Sequence, residues 1–384
     1  MSRNREDRPY PDGRNGYDSD NRPKKSGMNL KLVFGISLCI VLGIVLISGG
    51  VIYKLGHDLY SNINYVADED VKVVETLPEE VAEETVSTEE RKGVVVSDEE
   101  LASIHDKLNS LAKRETVSDD DIYNVLLIGV DRRDKSWNGN SDAMILVSIN
   151  KKENKVSMVS LMRDTYVDIP GVGYRKLNAA YAYGAGPLLC ETVTNTFNIK
   201  VDRYAAVDFF DLIDIINVIG GVDLEISAKE AEVANGYILD MCNLMNVDGT
   251  EHLIPSEGGM IHCDGVQAVG FSRNRYVGNS DFERTERQRY VLSQLMAEVK
   301  RMSVAQMTEK MQAILEFVTM NIPESEIWSM VTELPELLEY DFTMSRVPYD
   351  NMYETIWVDN QDNLVPDWDQ TLTLLHEEIY GTKN

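Results

Sequence analysis

Short apolar runs separated by polar turns dominate the middle of the chain. Three of these runs are rich in strand-forming residues and predict β-strands, at 123–130, 143–150 and 155–162. The first, YNVLLIGV, is almost continuously apolar, which is typical of a strand covered on both faces of its sheet. Helical spacing follows at 188–197 and 209–219, and a further strand is predicted at 222–226. This alternation predicts an α/β domain whose central sheet is sandwiched by helices.

The region after residue 270 predicts a long amphipathic helix followed by smaller elements. Residues 280–283, Ser-Asp-Phe-Glu, fit a capping box, and apolar residues then recur at helical spacing up to Met302. On this helix Arg284 and Gln288 fall on the apolar face, whereas Glu286 and Arg289 are expected to point outward. The remaining predicted elements are helices at 305–319, 327–339 and 368–380 and strands at 340–347 and 353–358.

The N-terminal third differs in composition from the rest. Residues 1–31 are polar and are expected to form a disordered tail. Residues 32–53 contain no charged side chain and are long enough to span a bilayer; a buried soluble helix and a cleaved signal peptide are the alternatives. Basic residues precede this segment, so the positive-inside rule predicts a single-pass membrane protein with a cytoplasmic N-terminus. Residues 54–120 then read as an acidic extracytoplasmic stalk, and 121–384 as the globular domain.

Charge is distributed unevenly along the chain. The 384 residues carry a formal net charge of -27, yet five arginines lie between positions 273 and 289. An acidic domain placed outside the cell argues against nucleic acid as a partner. The local concentration of arginine instead indicates a small anionic ligand, because the planar guanidinium matches phosphate oxygens. The alternative for Arg284 is a structural ion pair with Asp281 or another carboxylate.

Polar residues also stand at the ends of the predicted strands. Asp131 follows the first strand, Asp142 opens the second, and Arg163 and Asp164 follow the third. Ligand sites in open α/β sheets collect at such carboxyl ends. Asp131 and Asp142 could together hold Mg²⁺, although each could equally belong to an Asx turn or a helix cap.

A basic pair, Arg175 and Lys176, precedes a predicted helix that starts with NAAYAYG. Helix N-termini attract anions because their backbone N–H groups are unpaired. The alternative is an ordinary helix start with a solvent-directed lysine.

Taken in order, six motifs resemble the LytR-CpsA-Psr family of membrane-anchored bacterial cell-wall enzymes. They are GVD at 129–131, NSDAM at 140–144, SLMRDTYVDIPG at 160–171, KLNAAYAYG at 176–184, GGVDLEI at 220–226 and FSRNRYVGNSDFERTERQR at 271–289. The resemblance implies a mainly mixed central sheet. It also implies a phosphotransferase that moves a glycopolymer, such as teichoic acid or capsule, from undecaprenyl pyrophosphate to peptidoglycan through a phosphodiester.

The resemblance also implies roles for individual residues. Asp131 and Asp142 would hold Mg²⁺, Asp281 would belong to the same constellation, and the pyrophosphate would contact a set of polar side chains, namely Arg163, Arg273, Arg275, Arg284 and Gln288. Beyond the resemblance, we expect Lys176 to bind the pyrophosphate as well, and we take Arg163, Asp164 and Asp281 as the catalytic residues, with Asp164 or Asp281 as the base. Many relatives carry an arginine where this chain has Asn140, so we expect one phosphate contact to be lost or to come from Arg132, Arg133 or Lys176.

A lipid carrier would also need an apolar groove. Residues 209–219 and 292–299 are candidates for its lining, and a filled core is the alternative for each position. Among the cysteines outside the predicted span, Cys242 and Cys263 are the most plausible disulfide pair, although Cys190 could replace either.

Two other functions fit the same sequence features. A phosphatase or pyrophosphatase acting on polyprenyl phosphates could use the same metal and arginines with water as acceptor. A wall-associated binding or regulatory protein would use them for recognition alone.

Overall fold

A computed structural model describes residues 64–67, 74, 92–132, 137–277, 281–303, 306, 309–310, 313–337 and 339–381. The predicted tail and membrane span, the stalk up to residue 91 apart from 64–67 and 74, and the capping residue Ser280 lie outside these ranges. Within the described part of the chain, no helix combines the length and the apolar character needed to cross a membrane.

Strands and helices alternate through the described region. The strands are β1 (Asn64–Tyr65), β2 (Val94–Val95), β3 (Ile122–Asp131), β4 (Asn140–Asn150), β5 (Lys155–Leu161), β6 (Tyr166–Ile169), β7 (Gly173–Lys176), β8 (Arg203–Asp208), β9 (Val222–Ser227), β10 (Gly258–Cys263), β11 (Thr319–Met320), β12 (Asp341–Val347), β13 (Tyr353–Val358) and β14 (Gln361–Pro366). The α-helices are α1 (Asp98–Leu111), α2 (Ala179–Phe197), α3 (Phe209–Ile219), α4 (Ala228–Met245), α5 (Gly265–Ser272), α6 (Asp281–Arg301), α7 (Glu324–Leu337) and α8 (Trp368–Tyr380).

The central sheet is mixed and has the strand order β1-β11-β8-β3-β4-β5-β12. Strand β3 is parallel to β8 and antiparallel to β4, β4 is antiparallel to β5, and β5 is parallel to β12. Strands β3, β5, β8 and β12 therefore all point the same way. Their carboxyl ends meet at one edge of the sheet, where ligand sites of such folds collect.

Both faces of the sheet are covered, as the continuous apolar run in β3 predicts. Leu126 is fully buried in a large cluster with Leu189 and Phe197 of α2. The next residue, Leu127, points to the other face, where Leu127 and Leu292 of α6 both pack against a second buried cluster. Successive strand residues alternate between faces, so only a sheet with helices on both sides buries both leucines. The predicted helix–sheet–helix arrangement is confirmed.

The globular domain begins earlier than predicted. Helix α1 buries Leu108 and Leu111 in the same core cluster as the central sheet, and β2 pairs with β13. Residues 92–120 are therefore part of the domain rather than a solvated stalk. Their acidic composition misled the prediction because α1 presents its charged residues to solvent and buries only a narrow apolar stripe.

Several other local predictions were wrong or incomplete. Arg175 and Lys176 lie in β7, which forms a hairpin with β6, so the helix begins only at Ala179. The predicted helix 305–319 ends in a 3₁₀ turn at Leu315–Phe317 and in β11, which pairs with β1 and β8. Strand pairing overrides local propensity in both cases. The pattern also missed β8, β10, β14, α4 and α5.

Two glycines allow the packing of α3 against α5 to be tested. A Cβ at Gly265, the first residue of α5, would lie 2.1 Å from the carbonyl oxygen of Ile213, whereas at Gly236 in α4 it would meet nothing within 4 Å. We expect Gly265→Ala to lower the free energy of unfolding by about 2 kcal/mol through overpacking. Gly236→Ala, as the matched control, should raise it by up to about 1 kcal/mol through helix propensity. Urea unfolding followed by circular dichroism measures both, and equal effects would contradict the packing.

Candidate active site

A β-bulge between β3 and β4 places the two predicted metal carboxylates. Gly129 pairs with Ala143 and Val130 pairs with Ser141, so Asp142 is the extra residue of the bulge. Bulges bend a strand and redirect a side chain, and they are common beside active sites. Asp131, the last residue of β3, pairs with Asn140 just beyond the bulge. Both carboxylates therefore stand at the carboxyl end of β3.

Three guanidinium groups converge on Asp142. Arg163 Nη1 lies 2.8 Å from Oδ1, and Arg275 Nη2 and Arg284 Nη1 lie 3.2 and 3.4 Å from Oδ2. Arg163 follows β5, Arg275 follows α5, and Arg284 belongs to α6. We call Asp142, Arg163, Arg275 and Arg284 the arginine cluster. Residues distant in sequence are thus joined through one carboxylate.

The arginine cluster controls the protonation of its carboxylate. Burial by itself raises the pKa of Asp142, but the positive charges of Arg163, Arg284 and Arg275 outweigh burial and hold this pKa well below its usual range. Asp142 is therefore an anion at any physiological pH.

Arg284 is the most buried member of the cluster, with 2 % of its surface exposed. It lies on the inner face of α6, as the helical spacing predicts, and its Nη2 also donates to the backbone oxygen of Asp142 at 3.3 Å. Gln288, one turn later, is half-buried. The expected ion pair of Arg284 is made with Asp142, a carboxylate that two other arginines share.

Arg273 pairs with Asp131, the second candidate metal carboxylate. Its Nη2 lies 3.4 Å from Asp131 Oδ2, and its guanidinium packs 4.6 Å from the ring centroid of Phe209 and 5.5 Å from that of Tyr237. Its buried Nη1 has no hydrogen-bond partner within the described residues. Aromatic faces orient a guanidinium without using its N–H donors, which leaves donors for a ligand. Tyr237 was missed because no helix was predicted at α4.

Lys176 and Asp164 form an adjacent ion pair. Lys176 Nζ lies 2.9 Å from Asp164 Oδ1, and Arg163 Nε lies 3.7 Å from the same oxygen. Arg163 therefore links this pair to the arginine cluster. Lys176 comes from the end of β7 and not from a helix start, and Asn178 at the start of α2 makes no side-chain cap.

The remaining candidates differ in position. Asp281 is the first residue of α6, but its side chain, like all of Arg133, lies outside the described residues. Arg132, a candidate replacement for the arginine absent at Asn140, instead pairs with buried Asp208 at 3.1 Å. Arg289 was predicted to point outward, yet it is half-buried because α6 packs against β12 on that side.

Arg287 is the buried residue that periodicity did not single out. Its guanidinium donates to the backbone oxygens of Asn274 and Val277 and pairs with Glu230 and Glu283. These contacts tie α6 to the segment that carries Arg273 and Arg275. Arg287 therefore positions the site without belonging to the arginine cluster.

The donor set fits a hard divalent cation. Mg²⁺ takes one or two protein carboxylates and completes its shell with water and phosphate oxygens, so Asp131 and Asp142 are sufficient. No group of three or more metal-binding side chains occurs in the described part of the chain. Both oxygens of Asp142 contact guanidinium groups. A metal ion would therefore bind here together with an anion that replaces Asp142 as the partner of those guanidinium groups.

Two further expectations concern the surroundings of the site. Phe209, Ile213 and Leu295 come from the two segments considered for a lipid groove. They are buried together in a core cluster, as the alternative of a filled core predicts. Cys242 and Cys263 share that cluster but carry free thiols, so the expected disulfide between them is wrong. Burial raises the pKa of Cys263 to about 12.

Comparison with known proteins relates this chain to a family. The LytR_cpsA_psr family profile matches residues 92–375. A polyisoprenyl-teichoic acid–peptidoglycan teichoic acid transferase TagU of Enterococcus faecalis is 31% identical over 266 residues, which cover 68% of this chain and 80% of that protein.

Solved structures share the fold. The crystal structure of protein gbs0355 from Streptococcus agalactiae is 26% identical, with a TM-score of 0.56 over 69% of this chain and 90% of that one. A LytR-CPS2A-psr family protein, YwtF (TagT), with bound octaprenyl pyrophosphate lipid is 23% identical, with a TM-score of 0.50 over 70% and 95%.

We expect Arg287→Ala to destabilise the domain. The change strands the partly buried Glu230 and two backbone oxygens, which should lower the free energy of unfolding by about 3 kcal/mol. Arg301→Ala, on the exposed last turn of α6, is the matched control and should change it by less than about 0.5 kcal/mol. Urea unfolding measures the difference, and similar values for the two variants would contradict the positioning role.

We expect Asp142→Asn to destabilise the domain in phosphate-free and magnesium-free buffer by about 3 kcal/mol, because three partly buried arginines lose their carboxylate. Inorganic pyrophosphate should raise the melting temperature of this variant more than that of the wild type. Asp341→Asn, an exposed carboxylate at the far edge of the sheet, is the control. An equal pyrophosphate shift in Asp142→Asn and wild type would contradict an anion-binding cluster.

The lowered pKa of Asp142 also predicts how the stability difference between wild type and Asp142→Asn changes with pH. The native pKa of Asp142 is lowered, so its contribution to stability is present above the unfolded pKa of about 4 and is lost as the pH falls below that value. The stability difference between wild type and Asp142→Asn should stay constant from about pH 8 to about pH 5 and shrink below about pH 4. A difference that shrinks near pH 7 would argue against an ionised Asp142.

Proposed function

The chain belongs to the LytR_cpsA_psr family, and from this we propose that it is a phosphotransferase of the bacterial cell wall. It moves an anionic glycopolymer from an undecaprenyl-pyrophosphate carrier onto peptidoglycan and leaves a phosphodiester link. The name of the Enterococcus faecalis relative and the octaprenyl pyrophosphate bound to the structural neighbour support this assignment.

The observation that carries the proposal is the convergence of Arg163, Arg275 and Arg284 on Asp142. Three guanidinium groups gathered at one point suit a diphosphate diester, which carries one negative charge on each phosphorus. Arginines concentrated in this way, in a chain of net charge -27, focus anionic substrates on one point.

Substrate binding would change the partners of the guanidinium groups in the arginine cluster. When the diphosphate binds, the guanidinium groups turn from Asp142 to phosphate oxygens, where their forks make charge-assisted hydrogen bonds. Arg273 would add its remaining donors from the Asp131 side, Lys176 would add its charge from beside Asp164, and Gln288 would reach the anion from one turn after Arg284. Positive charge fixed in place before the reaction stabilises the charge that develops on the transferring and leaving phosphates.

The released carboxylate of Asp142 would hold Mg²⁺ together with Asp131. The ion, when bound, would neutralise phosphate oxygens and so favour attack by a hydroxyl group. Asp164 or Asp281 would take the proton from the acceptor hydroxyl. Lys176 and Arg163 hold Asp164 beside the arginine cluster, which gives Asp164 the required position.

The proposal includes the cellular setting expected from the sequence. Residues 32–53 would anchor the chain in the membrane with a cytoplasmic N-terminus, and the domain would lie outside the cell beside both substrates.

The decisive experiment supplies the full chain in nanodiscs with an undecaprenyl-pyrophosphate-linked glycan, a peptidoglycan fragment and Mg²⁺. Coupled product should form, and Arg163→Gln or Arg284→Gln should lower kcat/KM about 100-fold or more. Arg301→Gln is the control and should retain full activity.

Three outcomes would contradict different parts of the proposal. Release of phosphate or free glycan without coupled product would indicate a phosphatase. Full activity of both arginine variants would show that the arginine cluster takes no part in the reaction. Normal wall-polymer attachment in a strain that carries only Asp142→Ala would indicate a non-catalytic protein.

A further inference from the structure

Arg289 and Arg346 are two further arginines that lie on another side of α6 from the arginine cluster. Arg289 is half-buried, and its Nη1 lies 3.5 Å from the backbone oxygen of Ser345, the residue before Arg346 in β12. This long contact satisfies little of a guanidinium with five N–H donors. No carboxylate lies within ion-pair distance of Arg289 among the residues that the structure describes.

Arg346 is also held close to the protein. Its side chain is 14% exposed, its Nη1 donates to the backbone oxygen of Pro348, and its guanidinium packs 4.4 Å from the ring centroid of Phe282. Phe282 in turn stacks on Tyr353, with ring centroids 5.3 Å apart. Among the described residues, the carboxylate partner of Arg346 is Asp350, whose side chain is 80% exposed. Such an exposed partner compensates little charge.

The two arginines disfavour each other electrostatically. Burial lowers the pKa of Arg289, the charge of exposed Glu286 raises it, and the charge of Arg346 lowers it. Bringing two like charges together in a half-buried place is unfavourable unless an anion bridges them. A purely structural role would favour a carboxylate at this position, as Arg287 has in Glu230.

The position of the pair relates it to the candidate active site. Arg289 follows Arg284 by five residues, which is about 7.5 Å along the helix axis. Arg346 stands near the carboxyl end of β12, at the sheet edge that also carries Asp131 and Arg163. Helix α6 therefore supplies one arginine to the arginine cluster and another to this neighbouring pair.

We propose that Arg289 and Arg346 form a second anion subsite, which binds a phosphodiester of the donor glycopolymer beyond its lipid-linked diphosphate. The inference rests on the proposed function for the identity of the donor. The guanidinium fork of either arginine suits the two unesterified oxygens of a phosphodiester, and the spacing along α6 suits a chain that leads away from the diphosphate. The subsite would select polymers that carry phosphate in their repeating units over neutral ones.

The test compares two donors on undecaprenyl pyrophosphate, one with a phosphate-bearing polymer and one with a neutral glycan of equal length. The double variant Arg289→Gln/Arg346→Gln should raise KM for the phosphate-bearing donor about tenfold and leave kcat and the KM of the neutral donor unchanged. Arg301→Gln, on the same helix, is the control. An equal rise for both donors, or a rise in KM for the peptidoglycan acceptor alone, would overturn the assignment.

A direct binding measurement separates this inference from the proposed function. A lipid-free poly(glycerol phosphate) oligomer is titrated into the full chain by calorimetry, with no transfer reaction required. Binding should weaken about tenfold in the double variant, while its melting temperature should stay the same or rise because like charges are removed. Unchanged binding, or a lower melting temperature, would show that the two arginines are structural. If the wild type transfers neither donor, the proposed function fails while the titration still decides the subsite.

Discussion

The architecture of the candidate site depends on one partly buried carboxylate that is shared by three guanidinium groups. Asp142 reaches this position because the β3–β4 bulge makes it an extra residue between two paired positions. Its arginine partners come from the end of β5, the segment after α5, and α6. Arginine cannot lose its charge on burial, so these elements come together only where an anion compensates them. A single acidic side chain thus organises this edge of the sheet.

Two neighbouring buried arginines of α6 show how context separates structure from function. Arg287 meets two carboxylates and two backbone oxygens, which together satisfy its guanidinium. Arg284, three residues earlier, shares Asp142 with two other arginines. The first arrangement holds the Arg273 segment in place. The second gathers three guanidinium groups at one point and is therefore suited to receive an anion.

Helix α6 also connects the candidate site to its surroundings. One face packs on the sheet through Leu292, and a second carries Arg284 and Gln288 toward the arginine cluster. A third brings Phe282 and Arg289 against β12 and Arg346. An extended anionic substrate could thus be held at two points of one rigid element, which reduces the freedom lost when it binds.

The sequence alone determined those features that depend on local order. The alternating apolar runs of β3, β4 and β5, the inner face of α6 with Arg284, and the acidic and basic residues at strand ends follow from periodicity and from chemistry at a known offset. The short strands β8 and β11, the β6–β7 hairpin and the membership of α1 in the core depend on pairing with distant segments, so tertiary structure decided them. The same holds for the partners of each arginine. Arg284, Arg287 and Arg289 are alike in sequence, and only the folded chain assigns one to a shared carboxylate, one to a satisfied network and one to a second arginine, because charge compensation in a protein is a property of three-dimensional proximity.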